Sequence, residues 1–320
     1  MNKRYSLGID TSNYKTSVAL VDNNGNIVSD CRRFLAVKEG QRGLRQSEAL
    51  FQHVNNLPEL VEKVIDAAGG SKNIDIVSVS SKPRPVEGSY MPVFNAGVSF
   101  GKVAAKAAGA HYAEFSHQEG HIEAVKFLSE LKDEEDIVAF HFSGGTTEAV
   151  YIGDGSFDIC AGSRDIAYGQ LIDRVGVKLG MAFPAGEEMD KIAMAALSEK
   201  GLKHKCEVVL PKIKCSEGFV NLSGIETAAM RLIEENVNTQ ELIFFLFKRI
   251  SQSIIDMIKD TSEKTGCMNF LFAGGVSSSE FVREYIASEK LKQRIVFGKG
   301  ELSQDNAVGI ALLGGEKVWR

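Results

Sequence analysis

Short apolar runs broken by polar turns open the chain. Residues 5–12 and 16–22 are strand-like, rich in Leu, Ile, Val and Thr, and Asn23-Asn-Gly-Asn26 follows them as a turn. Such runs around an Asn-Gly step predict a hairpin, and residues 28–34 supply a third antiparallel strand. The polar stretch 38–47 reads as a loop. From 48 to 67 the pattern changes, and Leu50, Val54, Leu57, Leu60, Val61, Val64 and Ile65 recur at helical spacing. A strand at 74–80, the helix-excluding segment Lys82-Pro-Arg-Pro85 and an Ala- and Lys-rich helix at 100–110 complete this half.

The second half repeats the order. A helix begins at 116–121 and runs through 131, followed by an apolar strand at 136–142. The turn Ser143-Gly-Gly-Thr-Thr147 and a meander at 148–152 and 155–160 come next. Helices follow at 171–181 and 187–197, interrupted by Phe183-Pro-Ala-Gly186. The Lys-rich stretch 200–214 reads as an exposed face. Helices at 224–235 and 239–261, a strand at 269–273, a turn at 274–279, a helix at 280–288 and a last helix from 305 through 315 finish the chain. Phe244, Phe245 and Phe247 lie on the apolar side of the long helix and read as packing. Two rounds of meander followed by helices imply an α/β protein with two sheets and a weak internal duplication.

Length and composition narrow the class. At 320 residues the chain exceeds what one compact core usually holds, so two domains are expected. Hydrophobic residues at 44% and charged residues at 25% describe an ordinary globular chain. A net charge of −5 argues against wholesale wrapping of nucleic acid, although it leaves room for a local basic patch. With no long apolar run and no CxxC spacing among Cys31, Cys160, Cys206, Cys215 and Cys267, a reducing, cytoplasmic setting without leader or membrane span is expected.

Candidate chemistry gathers at a few points. His117 and His121 stand four apart, which on a helix stacks both imidazoles on one face within reach of one metal; the plainer reading is a pair of surface histidines. Ser116 with Glu119 fits a capping box that would hold the pair in the first turns. Glu119 lies about 200° round the helix from His117, which weakens a metallopeptidase reading. Three turns follow apolar strands with exposed backbone N–H groups suited to phosphate or ribose oxygens: Asp10-Thr11-Ser12, Ser143-Gly144-Gly145-Thr146-Thr147, and Gly274-Gly275-Val276-Ser277. Each alone reads first as an ordinary turn, and it is their recurrence at three corresponding positions that puts an anion or nucleotide site on a level with that reading. Asp173 and Asp190, flanking Gly186, face either a ligand or solvent, and Asp305 is either a carboxylate ligand or a helix-start acid.

In that order along nearly the whole chain, these residues resemble the tRNA threonylcarbamoyladenosine synthase catalytic subunit family (TsaD/Gcp), formerly the O-sialoglycoprotein endopeptidases. The family's His-x-Glu-Gly-His segment falls on His117 and His121, its late Asp-Asn pair on Asp305 and Asn306, and its Ser-Gly-Gly loop on Ser143 to Gly145. Its conserved aspartates fall on Asp173 and Asp190, its Pro-Gly-Gly loop on Pro184-Ala185-Gly186, its Ser-Gly-Leu-Lys-Thr on Ser223 to Thr227, and its Ala-Gly-Gly-Val turn on Ala273 to Val276. The resemblance implies a duplicated actin/sugar kinase/Hsp70-like ATPase (ASKHA) fold, two lobes around a central cleft. Residues 1–113 with the helix 305–320 would form one lobe and 114–304 the other.

It also implies one divalent metal, iron or zinc, on His117, His121 and Asp305, the three catalytic residues through that metal. An adenine nucleotide or carbamoyl-adenylate would lie on the remaining site residues, from Asp10, Thr11 and Ser12 to Ser279. The implied reaction transfers a threonylcarbamoyl group to N6 of adenosine in tRNA, making the chain an acyltransferase. TsaB-like and TsaE-like accessory proteins and a homodimer or heterodimer are the implied partners. Several positions depart from the pattern. Tyr14 and Lys15 replace two acids, Lys82-Pro-Arg-Pro85 replaces a Gly-Pro-Gly loop, and the motif residues at 146, 226 and 279 are Thr146, Glu226 and Ser279. A divergent paralogue is inferred, with two alternatives: a catalytically silent nucleotide-binding regulator or scaffold, and a carbamoyltransferase with another acceptor.

Overall fold

The computed structural model describes residues 3–12, 14–36, 44–153, 156–202, 209–298 and 307–319, and divides the chain into two compact units. Unit 1 comprises Met1–Ser129 with Lys299–Arg320, and unit 2 is Glu130–Gly298.

Unit 1 is built on a five-stranded sheet in the order β3-β2-β1-β4-β5. Strands β1 (Tyr5–Ser12), β2 (Lys15–Asp22) and β3 (Ile27–Phe34) form the antiparallel meander, while β4 (Ile74–Lys82) and β5 (His111–Ser116) add in parallel beyond β1. Alternation along β1 decides which helices cover which face. Leu7 and Ile9 pack with Leu57, Leu60 and Val64 of α1 (Gln46–Ala67) and Ala96 and Ala105 of α2 (Phe94–Ala108). On the other face lie α3 (His117–Phe127) and α9 (Val308–Trp319), through Ala124, Val308 and Ala311. Contact there is close enough that a Cβ on Gly8 would come 2.4 Å from the carbonyl of Ala307, so α9 rests directly on the strand backbone.

Unit 2 has a seven-stranded sheet in the order β12-β11-β6-β7-β8-β10-β9. Its strands are β6 (Ile137–Phe142), β7 (Thr147–Gly153), β8 (Ser156–Ser163), β9 (Cys215–Ser216), β10 (Phe219–Val220), β11 (Asn269–Ala273) and β12 (Arg294–Phe297). The helices are α4 (Tyr168–Lys178), α5 (Gly186–Lys200), α6 (Ser223–Glu234), α7 (Thr239–Thr265) and α8 (Glu280–Ser288). Helix α7 starts under a side-chain cap from Asn238, whose oxygen accepts from Glu241 N at 3.0 Å, and ends at left-handed Gly266. Between those stops Leu242, Phe244, Leu246, Phe247, Ile250, Ile254, Met257 and Ile258 are buried in one core with Phe140, Phe142, Phe270, Phe272 and Phe281. Each such side chain contributes about 1.5–3 kcal/mol of burial before entropy is subtracted. Phe244 and Phe247 are thus core, as their spacing implies.

The strand order β8-β7-β6-β11-β12 in unit 2 repeats β3-β2-β1-β4-β5 in unit 1, a meander of three followed by two parallel additions. The duplication, faint in the sequence, is explicit in the topology.

The boundary between units differs from the expected 113/114. Strand β5 pairs in parallel register with β4 from Ile76↔His111 to Lys82↔Ser116, and α3 packs on α9, so both stay in unit 1 and the break moves to Ser129/Glu130. A parallel edge strand is recruited by its neighbour rather than by an apolar run of its own, which is why His111–Ser116 and Arg294–Phe297 escape periodicity. Helix α2 begins at Phe94 rather than 100, and α3 ends at Phe127 rather than 131. The loop at 38–47, the hairpin tip at 153–155 and the Lys-rich stretch at 200–214 each lie partly outside the described residues, and the start of the last helix at 305 lies wholly outside them.

Candidate functional site

In unit 1 the site forms where β1 ends. Asp10, Thr11 and Ser12 are all buried, and a fully buried carboxylate needs partners to stay in the fold. Asp10 has them: Ser80 Oγ, from β4, donates to Oδ1, and His117 Nδ1 lies 3.1 Å from Oδ1 and 3.0 Å from Oδ2. His117 is the first residue of α3, and a capping box fixes that start, with Glu119 N donating to Ser116 Oγ at 3.2 Å and Ser116 N donating to Glu119 Oε2 at 2.5 Å. The carboxylate of Glu119 is therefore spent on the helix cap. One turn on, the ring of His121 stands edge-on to His117 with centroids 4.5 Å apart at 86°. Thr11 Oγ1 donates to Val93 O at 3.1 Å and accepts from Gly97 N at 3.3 Å, which ties the strand end to the start of α2.

Asp305 lies outside the described residues, and among those described no group of three His, Cys, Asp or Glu forms a metal site. The donor chemistry of the pair nevertheless fits a metal. A ligating imidazole usually directs its other ring nitrogen at a carboxylate, and Asp10 stands at Nδ1 of His117 in that way.

Beneath the strand tip lies a residue that periodicity absorbs into the apolar face of α1. His53 is fully buried, its Nδ1 2.9 Å from Thr16 Oγ1, which also accepts from Asn56 Nδ2 at 3.1 Å. Burial holds the His53 ring below its ordinary pKa, against the backbone of Ser12 and the charge of Asp10, which act to raise it. A histidine inside an apolar stripe was the available signal. The departing residues here are also accounted for. Lys15 is buried with Nζ 4.6 Å from the ring centroid of Phe34, its cross-strand partner, while Tyr14 is half exposed.

In unit 2 the turns after β6 and β11 converge with the start of α4. The Ser143 turn closes on itself: Ser143 N donates to Thr146 O at 2.9 Å and Thr146 N to Ser143 Oγ at 3.1 Å. Thr147 Oγ1 accepts from Tyr168 N at 2.9 Å, anchoring α4. A Cβ on Gly169 would meet Gly144 Cα and Ser143 O at 2.5 Å each. Gly274 takes φ 92°, a conformation that excludes most side chains, and a Cβ there would come 2.3 Å from Phe142 O.

These turns enclose a cavity of about 420 Å³ lined by Gly144, Gly169, Ile172, Asp173, Pro184, Gly186, Glu187, Asp190, Phe247, Gly275, Val276, Ser278 and Ser279. The two aspartates in its wall also hold the wall together. Asp173 Oδ1 accepts from Ala185 N at 2.9 Å, fixing the Pro184-Ala185-Gly186 loop. Asp190 accepts from Ser279 Oγ at 2.5 Å, Glu280 N at 2.7 Å and Phe281 N at 3.2 Å, so it caps α8. Gly145, Thr146, Thr147 and Gly274 shape the turns without lining this cavity.

A second cavity of about 630 Å³ adjoins through Gly144 and Asp173, between α4 and Met230 of α6. There Arg174 Nη1 pairs with Glu226 Oε2 at 3.2 Å, so the acid that departs from the family motif has a cation opposite it. Asp165, absent from the sequence reading, organises the same helix. It accepts from Leu222 N at 2.8 Å and Ser223 N at 2.9 Å, and these bonds at the start of α6, with one from Ile166 N at 2.7 Å, outweigh the opposing effect of burial and hold its pKa well below the carboxylate range.

Two sheets of the same order, each with polar strand-end turns, define a duplicated α/β fold of the actin and sugar kinase type. Solved structures of that class agree in fold. The ROK hexokinase of Thermus thermophilus superposes with TM-score 0.53 at 14% identity over 98% of this chain and 99% of its own. Component A of Acidaminococcus fermentans (R)-2-hydroxyglutaryl-CoA dehydratase gives 0.52 at 13%, covering 99% of this chain and all of its own. HypF of T. kodakarensis gives 0.62 at 13%, over 99% of this chain and 48% of the larger protein.

Within the class, residues 36–312 match the family described as TsaD, tRNA N6-adenosine threonylcarbamoyltransferase, and the chain belongs to that family. Proteins of that name from Geobacillus thermodenitrificans and Streptococcus pneumoniae (strain ATCC 700669) are 28% and 26% identical to it. They align over 99% and 97% of this chain and 92% and 91% of theirs. Among the described residues no helix is long and apolar enough to cross a membrane.

Proposed function

We propose that the chain transfers a threonylcarbamoyl, or closely related carbamoyl, group from a carbamoyl-adenylate to N6 of adenosine in tRNA. The supporting observation is the His117–His121 pair, held rigid by the capped start of α3 and oriented by buried Asp10. His117 and His121, with Asp305, would hold a divalent metal, iron or zinc. A metal held there would supply positive charge able to polarise a carbonyl group.

The remaining work falls to the chain itself. Asp10 sets which ring nitrogen of His117 faces outward, and Ser80 donates to Oδ1 of that carboxylate. In unit 2, Ile172, Pro184 and Val276 offer apolar wall to an adenine, while the Gly144 and Gly275 backbones admit phosphate oxygens without side-chain obstruction. Asp173 and Asp190 keep the Gly186 loop and α8 in place around it. In the transfer, the N6 amine forms the new C–N bond as the carbonyl carbon releases AMP, and the amine proton passes to solvent or base.

A second reading, a nucleotide-binding paralogue without transfer, is favoured by Lys15, whose ammonium occupies a family acid position and lies on Phe34. Incubating the purified chain with threonylcarbamoyl-adenylate, tRNA and TsaB-like and TsaE-like proteins, with modified adenosine followed by mass, separates the two. Product supports transfer to tRNA. Bound metal and nucleotide without product favour the silent paralogue or another acceptor.

A further inference from the structure

The segment 82–92, which opens with Lys82-Pro-Arg-Pro85 in place of a Gly-Pro-Gly loop, carries two cations and an exposed ring, and it is fastened to the unit 1 site at both ends. At its start Lys82 pairs with Ser116 in the β4–β5 register, and Gln118 N, the residue after His117, donates to Pro83 O at 3.1 Å. Just past its end, Val93 O accepts from Thr11 Oγ1 at 3.1 Å. Internal bonds order the span between: Arg84 N donates to Ser89 Oγ at 3.0 Å, and Ser89 N to Val86 O at 3.3 Å. Tyr90 is 62% exposed, its hydroxyl held by Asn95 Nδ2 at 3.0 Å. That bond fixes a flat aromatic face in water, which is an unusual use of a side chain that gains most from burial. Arg84 is exposed and Lys82 half-buried beside it, with one acid, Glu87, at the tip.

Unpaired nucleotides are recognised by this combination, a cation on the phosphodiester and an aromatic ring under the base. A protein of net charge −5 that takes a polyanion needs its positive charge concentrated where the polyanion lies. We propose that the 82–92 segment is the acceptor-binding arm of this chain, with Tyr90 stacking on an unpaired base of an RNA loop and Arg84 and Lys82 contacting its phosphates. This rests on the reading that the acceptor is an RNA adenosine.

The test uses the full chain and a labelled RNA hairpin with a seven-nucleotide adenine-containing loop, with a fully paired RNA duplex of equal charge as comparison, both followed by fluorescence anisotropy. Tyr90→Ala should weaken hairpin binding about ten- to a hundredfold, the range of a lost base–aromatic stack. Tyr90→Phe should keep it, which separates stacking from the hydroxyl bond to Asn95. Arg84→Ala should lower the slope of log affinity against log salt by roughly 0.7, one single-strand phosphate contact.

The inference is overturned if Tyr90→Ala binds the hairpin like wild type, if hairpin and duplex bind equally, or if wild type binds no hairpin. Metal content and adenine nucleotide affinity of the same preparations keep the two readings apart. Intact values with no Tyr90 effect sink only the acceptor arm, whereas absent metal and nucleotide binding sink the transferase reading.

Discussion

A methyl group at position 169 has no room. Gly169 is the second residue of α4, and a Cβ there would stand 2.5 Å from two backbone atoms, Ser143 O and Gly144 Cα, neither of which can rotate away. Ordinary contact begins near 3.4 Å, so α4 and the Ser143 turn must separate by roughly an ångström. Overpacking of this kind costs about 1–3 kcal/mol, offset by up to about 1 kcal/mol from alanine's better helix propensity. Stability should therefore fall by about 0–2 kcal/mol. Ligand binding should suffer more, because Gly144 lines the two adjoining cavities at the start of α4 and a bound nucleotide would have to restore the original spacing. At about 1.4 kcal/mol per tenfold, the strain corresponds to about five- to a hundredfold weaker binding. Titration calorimetry of Gly169→Ala with ADP and with AMP, beside a thermal melt, measures both. Gly144→Ala is the control for the melt, since its Cβ meets nothing within 4 Å and the fold should not notice it. Wild-type nucleotide affinity in a folded Gly169→Ala protein would refute the reasoning that these turns form the nucleotide seat.

Asp10→Asn should lower metal affinity about 10–100-fold while leaving the chain folded, as expected for the partner that orients a ligating histidine; competition with a chelator reads it. Burial lowers the pKa of His53, so the unfolded chain takes up a proton there more readily than the fold, and wild-type stability should fall as pH drops through about 6.5. His53→Gln removes that component, and a urea midpoint that still falls as steeply between pH 7.5 and 5.5 would count against it. Asp165 has its pKa lowered, so its contribution is present above about pH 4 and disappears as pH falls toward the folded value. Asp165→Asn should cost about 1–2 kcal/mol near neutrality, the worth of a helix cap, and the loss should shrink progressively as pH falls below about 4; a loss that stays the same from pH 7 down to pH 2 would contradict the assignment.

Helical segments were legible wherever apolar residues recur over several turns, as in α1 and α7, because burial of one face sets both pattern and element. Edge strands were not, because β5 and β12 are defined by parallel neighbours distant in sequence. Among site residues, His117 and His121 announced themselves by spacing and a capping box that the structure contains. His53, Ser80 and Asp165 did not, since each acts through a partner that only tertiary contact brings near: Thr16, Asp10 and Leu222. For Asp173 and Asp190 the sequence leaves ligand and solvent both open, and the structure shows their oxygens binding the Ala185 backbone and the start of α8, partners that no local pattern announces.

The claim that His117 and His121 hold a metal for carbamoyl transfer is tested most directly by measuring metal content and modified adenosine together, in wild type and His117→Ala. Elemental analysis should find a divalent metal in the wild-type chain and not in the folded variant, and threonylcarbamoyladenosine should appear in tRNA only with the wild type. A metal-free His117→Ala protein that modifies tRNA as well as wild type would contradict the account.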